Sequence, residues 1–128
     1  MGHAARQEVA AGSGLTVVVA GGLVGMPRVR RFALERSGDA ATPFHLLVNL
    51  DGGGSCFVVA DADALWPAYA AEVRAAAADD AGAVLAILTP RSGATTANLL
   101  APLVVDLASG AARQLVLEGS SWSTRHPL

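Results

Sequence analysis

Three histidines, His3, His45 and His126, and one cysteine, Cys56, are the side chains on which nucleophilic or metal chemistry in this 128-residue chain would have to be built. A nucleophilic triad needs a Ser or Cys, a base and an orienting acid held together. His3 stands near the first residue, His45 inside an apolar run where an outward position is expected, and His126 beside Pro127. No Gly-x-Ser-x-Gly elbow accompanies them. A metal site needs clustered ligands, whereas Asp61-x-Asp63 and Asp79-Asp80 read as acidic loops. Gly21-Gly22-Leu23-Val24-Gly25 lacks the Gly-x-Gly-x-x-Gly spacing, and Asp51-Gly52-Gly53-Gly54-Ser55 lacks a following Gly-Lys-Ser/Thr. Both are turns rather than phosphate cradles. The expectation is a chain that is not an enzyme, with no cofactor and no bound metal.

What remains is chemistry of contact. Thr95, Thr96 and Asn98 follow Pro90-Arg91-Ser92-Gly93 and so begin on a loop. They are either an interaction surface or turn residues whose side chains bond the local backbone. Trp122 is either an interface hot spot or a plug over the core. Arg125 and His126 either contact a partner or tie the tail down. The candidate partner-binding set is therefore Thr95, Thr96, Asn98, Trp122, Arg125 and His126. Arg28-Val29-Arg30-Arg31, followed by Phe32, is the one basic cluster. It fits a solvated loop leading into a strand better than an RNA-binding face, because the formal net charge is -2.

These residues need elements to position them. Apolar, β-branched runs occur at Leu15 to Val19, Arg31 to Arg36, Pro43 to Leu50, Cys56 to Ala60, Val84 to Thr89, Leu99 to Leu107 and Arg113 to Glu118. Gly, Ser and Asp separate them, including Ser37-Gly38-Asp39 and a hairpin turn at Ala108-Ser109-Gly110. Pro102 cannot donate to a ladder and must sit at a strand start, an edge or a bulge. From Asp61 to Asp80 alanine favours helix, with Asp61 or Asp63 as N-cap, Gly82 as stop and Pro67 tolerable only in the first turn. The expected fold is mainly β: a small antiparallel barrel or pseudo-barrel with one short helix.

Composition sets outer limits. One domain spanning 1–128 is expected, with 1–13 a loose stretch ahead of it. Alanine supplies 27 residues and little burial energy, so Leu, Val and a few aromatics carry the core. All nine basic residues are Arg. The acidic balance argues against broad phosphate-backbone binding. A single cysteine fits a reducing cytosol, and no apolar run reaches about 18 residues, so no membrane span is expected.

The order and spacing of several pieces resemble the flagellar assembly factor FliW family. Gly22-Leu23-Val24-Gly25 leads to Arg30-Arg31-Phe32-Ala33-Leu34, and Pro43-Phe44 opens a strand followed by Phe57-Val58-Val59. The series continues through Leu85 to Thr89 and Thr95-Thr96-Ala97-Asn98-Leu99-Leu100-Ala101-Pro102, then a return strand holding Gln114 and the ending Arg125-His126-Pro127-Leu128. Departures are Met26-Pro27 for Phe-Glu, Val48-Asn49 for Gln-Ser, Ala68-Tyr69 for Asp-Tyr, and Trp122 where Tyr is usual. Against helix propensity the family pattern has an aromatic turn, a short strand and then a helix here, so the expectation for this chain is a helical turn near Asp63 to Trp66 and one short helix within Arg74 to Asp80.

The resemblance implies a cytoplasmic bacterial protein, a monomer when free, that binds flagellin and the RNA-binding translational regulator CsrA. It would relieve CsrA repression of flagellin translation. That no nucleic acid is bound directly is expected from the net charge of -2. Two alternatives from other classes are a small-barrel nucleic-acid or ribosome-assembly module, which needs a basic face with exposed aromatics, and a flavin-binding split barrel, which needs phosphate donors and a dimeric cleft.

Overall fold

Each of the first seven strands pairs antiparallel with its neighbours in the chain, so the sheet grows as a meander. The computed structural model describes residues 14–36 and 42–128. The expected loose stretch 1–13 and the Ser37-Gly38-Asp39 break lie outside them. The strands are β1 (Leu15–Val19), β2 (Arg31–Arg36), β3 (Phe44–Asn49), β4 (Cys56–Asp61), β5 (Ala83–Thr89), β6 (Thr96–Val105), β7 (Ala111–Gln114) and β8 (His126–Pro127). Two helices, α1 (Ala62–Leu65) and α2 (Pro67–Ala77), lie between β4 and β5. The sheet order is β5-β4-β3-β2-β1-β7-β6-β8, and a further β5–β6 pairing closes a seven-stranded barrel with β8 added outside the ring.

The mainly β barrel expected from the sequence is present. One junction is parallel: Val18 pairs with Ala111 and Val19 with Ala112. Topology requires this, because strand directions alternate along a meander and an odd number of strands returns to the start pointing the same way. Gly110 lets the junction close. It sits at φ +82°, and a Cβ there would lie 2.1 Å from the Thr16 carbonyl oxygen. Its own carbonyl accepts from Val18 N–H at 2.8 Å. Any side chain would push β7 off β1.

Two apolar layers result. Val17, Val19, Phe32, Leu34, Leu47, Val59, Leu85, Leu103 and Val105 fill the barrel. On its outer face Ala60, Val84, Ala86, Leu88, Ala97, Leu99 and Val104 meet Ala62, Tyr69, Ala70, Val73 and Ala77 of the helices. Residues 83–86 of β5 and 101–105 of β6 are thus buried without interruption, while burial alternates along β1. The alanine excess also finds a use here, since small side chains on both surfaces let α2 lie close to the sheet.

The helical segment departs from the family-based expectation and follows helix propensity. Two short helices stand where one was expected, and α2 begins at Pro67, not within Arg74 to Asp80. Asp61 caps α1 by accepting from Asp63 N–H at 3.1 Å, and Pro67 occupies the first turn of α2, where its missing N–H costs nothing. Asp63 forms a buried ion pair with Arg74, whose Nε donates to the Gly82 carbonyl at 3.0 Å. Asp79 accepts from Ala81 and Gly82 N–H at 3.1 and 3.0 Å. Of the acidic pairs read as loops, Asp61 is a helix cap and Asp63 one half of an ion pair, while Asp79 and Asp80 do lie in the loop between α2 and β5.

Helix α2 stops at Ala78, four residues before Gly82. Ala78 takes φ 54°, ψ 39°, with its N–H on Ala75 O at 3.2 Å and Asp79 N–H on Arg74 O at 3.0 Å. A non-glycine residue in this left-handed conformation costs about 1 kcal/mol. Ala78 is exposed, so nothing is lost by removing its methyl group. Ala78→Gly is expected to raise stability by about 1 kcal/mol in urea unfolding; an equal or lower midpoint would contradict the cap geometry.

Candidate functional site

The site grows from an interruption in β6. Opposite β5, Leu103 pairs with Leu85 and Asn98 with Ile87, so residues 99–102 bulge out against Ala86 alone. Pro102 lies in this bulge, one of the places its missing donor allows. Every backbone group of the bulge has a partner. Leu99 N–H donates to Ser123 O at 2.9 Å, and Leu100 and Ala101 N–H donate to Asn98 Oδ1 at 3.2 and 3.1 Å. The carbonyls of Leu99, Leu100, Ala101 and Pro102 accept from Tyr69 OH at 2.7 Å, Leu117 N–H at 2.8 Å, Gln114 Nε2 at 2.9 Å and Leu115 N–H at 2.9 Å. Gln114 also accepts from Val24 N–H through Oε1 at 2.7 Å, tying the first loop to the bulge.

This places the sequence-predicted residues unequally. Asn98 is half-buried and its Oδ1 accepts from the local backbone, as the turn-residue alternative has it. Thr96 pairs with Thr89 on one side and Pro127 on the other, and its Oγ1 is buried without a hydrogen bond. Thr95 is half-buried, and its carbonyl accepts from Leu128 N–H at 3.2 Å. Strand β8 thereby holds the chain end against the Thr95–Asn98 stretch, with His126 opposite Ala97.

The tail carries an aromatic ring of contacts. Trp122 meets Tyr69 edge-to-face at 4.8 Å and His126 at 6.4 Å; Trp66 meets His126 at 5.8 Å and Tyr69 at 6.4 Å. Trp122 Nε1 donates to Glu72 Oε2 at 2.7 Å on α2. Burial, with the Glu72 charge a smaller contribution, pushes the Tyr69 hydroxyl well above the usual phenol range, so it stays a donor to Leu99 O. Trp122 is half-buried, part plug and part surface, and Arg125 is exposed. The structure brings Thr95, Thr96, Trp122, Arg125 and His126 to one end of the β6–β8 pair.

Sequence reasoning missed Trp66, Tyr69, Glu72 and the bridging role of Gln114. Trp66, at the helix cap, and Tyr69 are three residues apart, a spacing that shares a helix face; that signal needed the helix to be assigned from Pro67. His45 is the opposite case. Expected on the outer face, it is buried at 1% exposure, because β3 points 45, 47 and 49 inward. Among the described residues no group of three or more His, Cys, Asp or Glu is arranged to hold a metal ion. No helix among them is long and apolar enough to cross a membrane.

Residues 4–128 match the family model described as FliW protein. A flagellar assembly factor FliW from Geotalea uraniireducens (strain Rf4) is 36% identical over 94 residues, covering 66% of this chain and 58% of that protein. This match thus spans less than two thirds of that relative's length. Another, from Syntrophus aciditrophicus (strain SB), is 32% identical over 120 residues, covering 84% of this chain and 73% of that protein. A crystal structure of the flagellar assembly factor FliW shares the fold, with a TM-score of 0.69 at 24% identity over 88% of this chain and 84% of that one.

Asn98→Ala leaves two backbone N–H groups of the bulge without acceptors, at an expected cost of about 2 kcal/mol. Asn98→Asp keeps the acceptor and is expected to lose less than half as much. Urea unfolding of the two variants checks this, and equal losses would assign the cost to something other than the acceptor.

Proposed function

Because the chain belongs to the FliW family, we propose that it is a non-enzymatic, cytoplasmic flagellar assembly factor that acts by binding flagellin and the translational regulator CsrA. The observation that carries this reading is the family match across residues 4–128. Binding CsrA relieves its repression of flagellin translation, and flagellin competes for the same protein. The partner surface comprises Thr95, Thr96, Asn98, Trp122, Arg125 and His126. Within it Asn98 supplies shape, by setting the bulge, while Trp122 and Arg125 supply residue types enriched in interface hot spots. Support for this division is physical. Asn98 is consumed by the backbone, whereas the Arg125 side chain is exposed on a segment held by β8 and by the Arg125 N–H bond to Ser123 Oγ at 2.9 Å.

Titration calorimetry with purified CsrA and flagellin from the same organism tests the reading. Binding of both is expected, with either one reducing the affinity for the other. Arg125→Ala is expected to lower CsrA affinity about tenfold, or about 1.4 kcal/mol, without shifting Tm. Silence of both partners would remove the function and leave the fold. Unchanged affinity in the variant would move the contact elsewhere on the barrel.

A further inference from the structure

The arginine cluster at the start of β2 has no part in the tail surface, and the fold presents it with care. Gly22, at φ +75°, approaches Pro27 so closely that a Cβ would lie 2.4 Å from the Pro27 oxygen. Leu23 is buried and its carbonyl accepts from Met26 N–H at 2.8 Å, so the turn ahead of Arg28 is pinned to the barrel. Arg30 O then accepts from Val19 N–H at 2.7 Å and Arg31 O from Leu50 N–H at 2.9 Å. Asp51 completes the frame: Oδ2 accepts from Arg30 and Arg31 N–H at 2.8 and 2.9 Å, and Oδ1 from Arg31 Nε at 2.8 Å. The two backbone N–H groups, then the Arg31 guanidinium, hold the Asp51 carboxyl at about 2.

Charge does not balance at this place. Arg31 and Asp51 offset each other, while the exposed Arg28 and Arg30 have no ion-pair partner among the described residues. Two uncompensated positive charges therefore stand together on a chain of net charge -2. Apolar surface lies among them. Val18, opposite Arg31 in the ladder, is 47% exposed, and Leu50, bonded to Arg31 O, is 42% exposed. An open cleft lined by Val18, Arg28, Arg30, Arg31 and Asp51 results.

We propose that this cleft is a docking surface for an acidic protein segment carrying apolar side chains, separate from the tail surface. Guanidinium groups are weakly hydrated and pair carboxylates in a planar fork, and they are enriched with apolar neighbours at protein interfaces. Val18 and Leu50 give such a segment area to bury, at roughly 25 cal/mol per Å². A nucleic acid fits poorly. Among the described residues no aromatic ring lines the cleft for bases to stack on, and Arg28 and Arg30 alone fall short of the several phosphate contacts that useful affinity requires. Asp51, neutralised by Arg31, leaves acceptor capacity on Oδ1 for a backbone N–H of a peptide.

Fluorescence anisotropy with three labelled probes tests this: a short peptide of alternating Glu and Leu, its Lys–Leu counterpart, and oligouridine. The full chain is expected to bind the Glu–Leu peptide alone, with affinity falling at high salt. Arg28→Gln together with Arg30→Gln is expected to weaken that binding about tenfold. Both side chains are exposed and the Asp51 bonds to backbone N–H remain, so the fold is retained, which circular dichroism checks. Arg125→Ala is expected to leave peptide binding unchanged, which separates this surface from the tail. Absence of Glu–Leu binding, or its persistence in the double variant, would overturn the proposal. So would equal binding of the Lys–Leu peptide, or oligouridine binding that the double variant abolishes.

Discussion

The backbone of residues 99–102 is the constraint around which this barrel is arranged. A bulge in a strand covered on both faces cannot turn to water for its hydrogen bonds, and each orphaned buried group costs about 1–3 kcal/mol. Four separate parts of the chain meet the demand: Tyr69 of α2, Gln114 of β7, the segment 115–117 and Ser123 ahead of the tail. Asn98 supplies the two remaining bonds from within β6. Pro102 lowers the demand by one, having no N–H to satisfy.

Much else follows from that arrangement. Bringing the Tyr69 hydroxyl to Leu99 O fixes where α2 lies on the sheet, and α2 in turn offers Glu72 to Trp122. Leu99 N–H holds the 120s segment, which then places His126 and Pro127 against Ala97 and Thr96. Gln114 carries the same network to Val24 and so to the loop ahead of the arginines. The residues most distinctive of the FliW pattern, Asn98, Pro102, Gln114 and the tail, are thus joined by one hydrogen-bond system. A short motif that looks like a binding site in the linear sequence is in large part the solution to a packing problem.

The surface left over divides into two chemically different regions. Around the tail, aromatic rings stack edge-to-face beside an exposed arginine and a carboxylate already tied to indole. At the ends of β1, β2 and β3, arginines surround exposed aliphatic side chains on a rigid turn.

The sequence by itself determined the runs of β1 to β5, which lie within a residue or so of where the apolar runs put them, because alternation and β-branching are local properties; β6 starts at Thr96 where Leu99 was expected, and β7 spans Ala111–Gln114 where Arg113 to Glu118 was expected. It also determined that Pro102 must sit where no donor is needed, and that Gly110 could take the turn into β7. Helix propensity and the Asp61 cap pointed to helix after β4, and the actual extent of α2 follows that local signal, not the family pattern. Only the tertiary structure decided the rest. The parallel β1–β7 junction depends on the count of strands in a closed ring, which no single segment encodes. The inward turn of His45 depends on the register of β3 between its two neighbours, and a one-residue difference reverses it. The hydrogen bonding of Asn98 was open in sequence because its side chain suits a turn and a partner equally well. The tertiary structure placed the amide oxygen: the bulge that follows in β6 leaves the Leu100 and Ala101 N–H groups without ladder partners, and Oδ1 accepts from both.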